Sequence, residues 1–78
     1  MNLSNVKPGQ KVRVTSLCAK GAIRRRLLDI GLIEGTDVEC IGVSPFGDPK
    51  AYLIRGAVIA LRKDDASNIM VNANGTDK

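Results

Sequence analysis

The sequence predicts a small, mainly β domain in which five short strands form a barrel and one short helix follows the first strand. The chain has 78 residues, which is enough for one small hydrophobic core. Several short segments alternate polar and apolar residues, as half-buried strands do, and Gly and Pro residues separate them. We therefore expect one domain at 1–71 and a mobile tail at 72–78, where the sequence has nothing to bury.

The predicted helix lies at 21–30, where the spacing of apolar residues changes. Ile23, Leu27 and Ile30 are spaced to share one helical face, and we expect that face to point inward. Gly31 is expected to end the helix, because glycine adopts the left-handed conformation of a Schellman cap without steric cost.

The predicted strands are short and are separated by strong turn signals. Arg55-Gly56 suits a tight hairpin, the loop 44–50 contains two prolines and a glycine, and 62–68 is polar enough for one helical turn. This pattern is typical of a closed or nearly closed barrel of the SH3-like type. The strands are expected at 11–17, 36–43, 51–54, 57–61 and 69–71.

Composition argues against an enzyme. The chain has no histidine and no phosphate-binding or nucleophile motif, so we expect no catalytic residue and no cofactor. Cys18 and Cys40 are far apart, form no Cys-x-x-Cys pair and have no histidine to join them, so we expect no metal site and interpret both as small buried hydrophobes.

Charge and hydropathy limit where the protein is expected in the cell and which classes of partner it is expected to bind. No apolar window approaches the length of a membrane span, which predicts a cytoplasmic chain without direct membrane insertion. The net charge of +4 is compatible with nucleic acid or with acidic protein surfaces. Aromatic residues make up only 3% of the chain, which leaves little for stacking on bases and disfavours nucleic acid.

The basic run on the predicted helix is one candidate partner-binding site. Successive helical residues turn by about 100°, so Arg24, Arg25 and Arg26 cannot form one flat basic face. Leu28 lies off the inward stripe, where it is either covered by a loop or exposed to a partner. We weigh two interpretations, in which the arginines either only add solubility or, with Leu28, contact a partner.

The two aromatic rings are the other candidate. Phe46 lies in the proline-containing loop, and we favour a ring that folds back to plug one end of the barrel. The alternative is that Phe46 and Tyr52 line an apolar groove at the lip of the barrel, where a partner segment binds.

Three segments resemble the ferrous iron transport protein A (FeoA) domain. They are Arg-Arg-Leu-Leu-Asp-Ile-Gly-Leu at 25–32, Ser-Pro-Phe-Gly-Asp-Pro at 44–49 and Arg-Gly-Ala-Val-Ile-Ala-Leu-Arg at 55–62. The resemblance spans 3–71, although position 34 is Glu where many members have Pro. It implies an SH3-like barrel, similar to the C-terminal domain of iron-dependent repressors.

The resemblance also implies a role in bacterial ferrous iron uptake, as an accessory protein of the membrane permease FeoB, which hydrolyses GTP. We expect docking on the cytoplasmic region of FeoB through Arg24, Arg25, Leu28 and the loop around Phe46, with Arg24 as a candidate arginine finger. The alternatives are a small nucleic-acid-binding barrel and a metal-responsive regulatory domain that binds a transition metal ion. The sequence does not determine the oligomeric state.

Overall fold

The structure, a computed structural model, describes residues 1–73. Successive side chains of each strand point to opposite faces of the sheet. The strands are β1 (Lys11–Leu17), β2 (Asp37–Val43), β3 (Lys50–Ile54), β4 (Ala57–Leu61) and β5 (Ile69–Ala73). Helix α1 (Gly21–Ile30) follows β1, the four-residue α2 (Lys63–Ala66) precedes β5, and a 3-10 turn occupies Leu3–Asn5.

The strands form one antiparallel sheet in the order β4-β3-β2-β1-β5. Register shifts lie between Val14 and Ser16 in β1 and between Cys40 and Gly42 in β2, and such bulges increase the local bend of a strand. The inward face buries small and branched side chains. The fully buried members of this core include Leu3, Val6, Val12, Val14, Leu27, Leu32, Val38, Cys40, Tyr52, Ile54 and Ile69.

The predicted fold class is confirmed, and the strand bounds agree to within a residue or two. The sheet is not closed within residues 1–73, since β4 and β5 remain its two edges. β5 continues through Asn72 and Ala73, which were expected in the tail, because their backbones pair with Arg13 and Val12 without burying polar side chains. The rest of the expected tail, 74–78, lies outside the described residues.

Helix α1 has the predicted bounds, but the predicted inward face is wrong at its first member. Leu27 is buried and Ile30 is partly buried against the core, whereas Ile23 is 44% exposed. The apolar spacing shows which residues share a face, but the helix overlaps the sheet only along its second half. The first half of α1 therefore presents apolar surface to solvent.

Gly31 ends α1 as predicted and also connects three parts of the fold. Its φ is 107°, and the Leu32 N–H donates to the Leu27 carbonyl at 3.1 Å, as in a Schellman cap. The Gly31 carbonyl accepts from the Ile33 N–H, the Thr36 hydroxyl at 3.0 Å and Arg55 Nε at 3.2 Å. The helix end, the start of β2 and the β3–β4 turn therefore meet at one peptide.

The β3–β4 hairpin has the predicted two-residue turn. Arg55 has φ 51° and Gly56 has φ 83°, and positive φ at both positions is the geometry of a type I′ turn. The sequence indicated Gly56 for this role but not Arg55. The Arg55 side chain, which reaches the Gly31 carbonyl, helps to explain why a non-glycine residue occupies this position.

The prediction that both cysteines are buried is correct for Cys40 and wrong for Cys18. Cys18 is exposed, directly after the end of β1. Its backbone N–H donates to the Asn68 carbonyl at 2.7 Å, and the following residue, Ala19, takes the buried position. The chain therefore alternates once more beyond the strand and turns the thiol outward.

We expect Gly31→Ala to lower the free energy of unfolding by about 2 kcal/mol, because alanine is strained at positive φ. A Cβ at this position would also lie 2.7 Å from Arg55 Cδ, so the arginine would have to move away from the carbonyl that it binds. Urea denaturation followed by circular dichroism measures the change.

Gly42→Ala is the matched control, because a Cβ there meets nothing within 4 Å and φ is not positive. Its free energy of unfolding should change by less than about 0.5 kcal/mol. Equal losses in the two variants would contradict the role assigned to Gly31.

Candidate protein-binding surface

The end of the barrel near the β2–β3 loop is covered by the N-terminal segment, residues 1–7, rather than by Phe46. Leu3 and Val6 are fully buried in the core. Lys50 Nζ donates to the carbonyl oxygens of Ser4 at 2.8 Å and Val6 at 2.9 Å, which holds the segment against β3. Phe46 is 95% exposed, so the predicted plug is wrong. The loop prolines gave no indication that another segment would cover this end.

Tyr52 is a core residue rather than a surface residue. It is 1% exposed, and its hydroxyl donates to the Leu3 carbonyl at 3.3 Å. Burial, together with the nearby Cys40 and Asp48, raises the pKa of Tyr52 to about 12. The predicted groove lined by both rings is therefore not formed, since one ring is inside the core and the ring of Phe46 projects into solvent.

Arg24 and Leu28, by contrast, lie together. They line an open depression of about 340 Å³ between α1, the second half of β1 and the segment after Gly31. Leu28 is 37% exposed, and Ile33 on the opposite side of the depression is also exposed. The remaining lining residues are Thr15, Ser16, Leu17, Leu32 and Glu34. This surface, termed the α1–β1 surface, combines exposed branched side chains with a cation.

The three arginines of α1 point to different neighbours, as their helical spacing predicts. Arg24 reaches the Leu17 carbonyl through a long contact of 3.5 Å, which leaves most of its guanidinium free for a partner. Arg25 is exposed. Arg26 forms an ion pair with Asp65 of α2. Only Arg24 therefore belongs to the α1–β1 surface.

Phe46 belongs to a different part of the molecule. Its loop neighbours Gly47 and Asp48 line a smaller depression of about 170 Å³ together with Ser4 and Lys63. Asp48 also accepts a hydrogen bond from the Lys63 N–H at 2.8 Å, which ties the loop to α2. The structure thus brings Arg24 and Leu28 into one surface and places Phe46 beside another.

Ile33 is the member of the α1–β1 surface that the sequence analysis missed. The signal was the pair Leu32-Ile33 after the helix-ending Gly31. In the Schellman cap Leu32 turns into the core, so the next side chain points outward beside Leu28.

Residues 1–73 contain no group of three or more His, Cys, Asp or Glu side chains placed to hold a metal ion. Nor does that range contain a helix with the length and apolar character needed to cross a bilayer.

Comparison with known proteins identifies the family. The model of the FeoA domain matches residues 1–73, which is most of the chain. The chain belongs to the FeoA family. This family is associated with ferrous iron transport, and the resemblance of the three sequence segments is thereby confirmed.

Solved structures of FeoA proteins have the same fold. FeoA from Chlorobium tepidum superposes with a TM-score of 0.90 at 36% identity, over 100% of this chain and 74% of that chain. The zinc-complexed FeoA of Stenotrophomonas maltophilia, a prokaryotic SH3 domain protein, gives a TM-score of 0.83 at 29% identity over 92% and 89%. The SH3-like fold is therefore confirmed.

The predicted likeness to iron-dependent repressors is confirmed as well. IdeR of T. acidophilum superposes with a TM-score of 0.83 at 25% identity, over 95% of this chain and 34% of that chain. A FeoA domain thus shares its fold with part of a repressor.

One relative joins a FeoA segment to a transporter. It is the Fe(2+) transport protein A/Fe(2+) transporter FeoB fusion protein of Porphyromonas gingivalis, 28% identical over 79 residues. The match covers 97% of this chain and only 9% of the fusion protein. In that organism the two parts therefore occur in one polypeptide.

We expect the phenol of Tyr52, the only tyrosine of the chain, to titrate well above its ordinary pKa of 10.0. Because the folded state favours the protonated phenol, its contribution to stability is present below pH 10 and is lost as pH rises toward about 12. Tyrosinate absorbance recorded in native protein and in urea measures both midpoints. A native midpoint near that of the unfolded chain would contradict the burial of this ring.

Proposed function

We propose that this FeoA domain is a non-catalytic, cytoplasmic accessory protein of ferrous iron uptake that docks on the cytoplasmic region of a FeoB transporter. The observation that carries the proposal is the α1–β1 surface, where exposed Leu28 and Ile33 flank the guanidinium of Arg24. Apolar anchors beside an arginine are a common composition of the energetically important centres of protein interfaces.

The fusion protein of Porphyromonas gingivalis supports the choice of partner. A covalent link between a FeoA segment and a FeoB transporter holds the two at high effective concentration. Separate chains need an interface to stay associated, and the α1–β1 surface offers apolar area for one. Arg25 is assigned to the margin of this interface, because it is exposed on α1 but does not line the depression. Phe46 is not assigned to this interface, because its loop lies beside the other depression.

We expect Leu28→Glu to weaken binding to the purified cytoplasmic region of the cognate FeoB by about tenfold or more, because it places a carboxylate among apolar contacts. Ile41→Glu is the matched control, since Ile41 is similarly exposed but lies on β2. Titration of the ¹⁵N-labelled domain measures affinity and site together. Amide shifts confined to residues outside 15–34 would contradict the site.

We also propose that docking modulates GTP hydrolysis through Arg24, the one arginine among the residues that line the depression, whose guanidinium makes only a long contact with the Leu17 carbonyl. An arginine that reaches a nucleotide stabilises charge in the transition state of phosphoryl transfer. The GTPase rate of FeoB should rise on addition of the domain, and Arg24→Ala should abolish the increase while Arg25→Ala retains it. Addition of the domain without any change of rate would contradict this role.

A further inference from the structure

The two edges of the sheet differ in how they are covered. At the β5 edge, the Val71 N–H donates to the Met1 carbonyl at 2.9 Å, and Asn2 bridges to Met70. At the other edge, β4 pairs only with β3 within residues 1–73. The N-terminal segment therefore covers one edge and leaves β4 open.

The backbone of β4 offers hydrogen-bonding groups to an added strand. The two-residue turn makes Ile54 and Ala57 a hydrogen-bonded pair. Along an antiparallel ladder without a bulge, hydrogen-bonded and non-hydrogen-bonded pairs alternate. Val58 and Ala60 therefore belong to non-hydrogen-bonded pairs, and their N–H and C=O groups point away from β3. Val58 is 64% exposed and Ala60 is also exposed, so this part of the strand lies at the surface.

β4 also lacks the devices that usually protect an edge. Its five residues, Ala57–Leu61, include no charged side chain and no proline. Soluble proteins commonly place lysine, proline or a bulge on such strands to prevent edge-to-edge pairing. An unprotected edge is the feature on which extended peptides add a strand.

A groove runs along this edge on the side of the helices. It has a volume of about 490 Å³ and lies between β4, α1 and α2. Ile30 and Ile59, both partly buried against the core, provide apolar surface in it. An inward side chain of an added strand would contact these two residues.

The charged side chains around the groove indicate which kind of peptide it would bind. Arg26 and Arg62 line the groove, and the one acidic side chain among its lining residues, Asp65, is already paired with Arg26. Arg55 and Lys63 lie just beyond the two ends of β4. A segment with acidic side chains flanking apolar ones complements this arrangement.

A second copy of the chain fits less well. Two β4 strands paired antiparallel about Ile59 would set Arg55 of one copy beside Lys63 of the other. Like charges on facing strands are destabilising, and each copy also carries a net charge of +4.

From the open edge of β4, the apolar groove beside it and the cationic side chains around that groove, we propose that β4 and α1 bind an extended acidic–apolar peptide segment by strand addition. The outward N–H and C=O groups of Val58 and Ala60 pair with its backbone, and Ile30 and Ile59 receive an apolar side chain. This site is separate from the α1–β1 surface and does not depend on the function proposed above.

The test uses a capped synthetic peptide of about eight residues that alternates valine with glutamate, a length that spans the five residues of β4. Titrated into the ¹⁵N-labelled full chain, it should shift amides of residues 57–62 and 26–30, with affinity that falls as salt rises. A peptide that alternates valine with lysine is the matched probe and should bind far more weakly. Equal binding of the two peptides would overturn the charge assignment.

Ala60→Pro separates strand addition from simple adhesion, because proline removes an N–H that points away from β3 and leaves the β3 ladder intact. The substitution should lower the affinity for the glutamate peptide by about fivefold or more, which is the loss expected for one hydrogen bond. The melting temperature of the variant should stay close to that of the parent chain. Ala60→Ser keeps the N–H and should bind as the parent does. Unchanged affinity of a folded Ala60→Pro variant would overturn the mode of binding.

Two further measurements keep this proposal distinct from the docking proposed above. Leu28→Glu should not affect peptide binding, and peptide shifts confined to residues 15–34 would overturn the site. Sedimentation of the unliganded chain should show a monomer, and a dimer abolished by Ala60→Pro would assign the edge to a second copy instead.

Discussion

The carbonyl of Gly31 is the contact on which the arrangement of the remaining elements depends. It accepts hydrogen bonds from the Ile33 N–H, the Thr36 hydroxyl and the Arg55 guanidinium. These groups belong to the segment after α1, the start of β2 and the β3–β4 turn. A side chain at position 31 would occupy the space of Arg55, so the contact requires glycine for spatial as well as conformational reasons.

Features governed by neighbouring residues could be predicted from the sequence. Alternation located β1 and β2, and short apolar runs between turn signals located β3, β4 and β5. Gly31 and Arg55-Gly56 located the end of the helix and the hairpin, because these features depend on backbone sterics within a few residues. The family resemblance then identified the same fold by a separate route, and the comparison with solved structures confirmed it.

Features governed by distant parts of the chain were not predictable in the same way. The expected plug by Phe46 failed because residues 1–7 cover that end of the barrel, and Lys50 holds them across a separation of more than forty positions. Ile23 was assigned inward because helical spacing carries no information on how far α1 overlaps the sheet. Of the candidate partner-binding residues, Arg24 and Leu28 share a surface because both lie on one helix, whereas Phe46 and Tyr52 are separated by tertiary packing.

The ammonium of Lys50 links the covering of the barrel end to the covering of a sheet edge. Lys50 binds the carbonyls of Ser4 and Val6, and the same N-terminal segment satisfies Val71 through the Met1 carbonyl. A modification that neutralises this ammonium, such as acetylation, would weaken the attachment of the whole segment. The cover of the β5 edge would then rest on the buried side chains of Leu3 and Val6 and on the hydrogen bond from Val71 to Met1. A lysine of β3 thus helps to protect β5, a strand with which β3 does not pair.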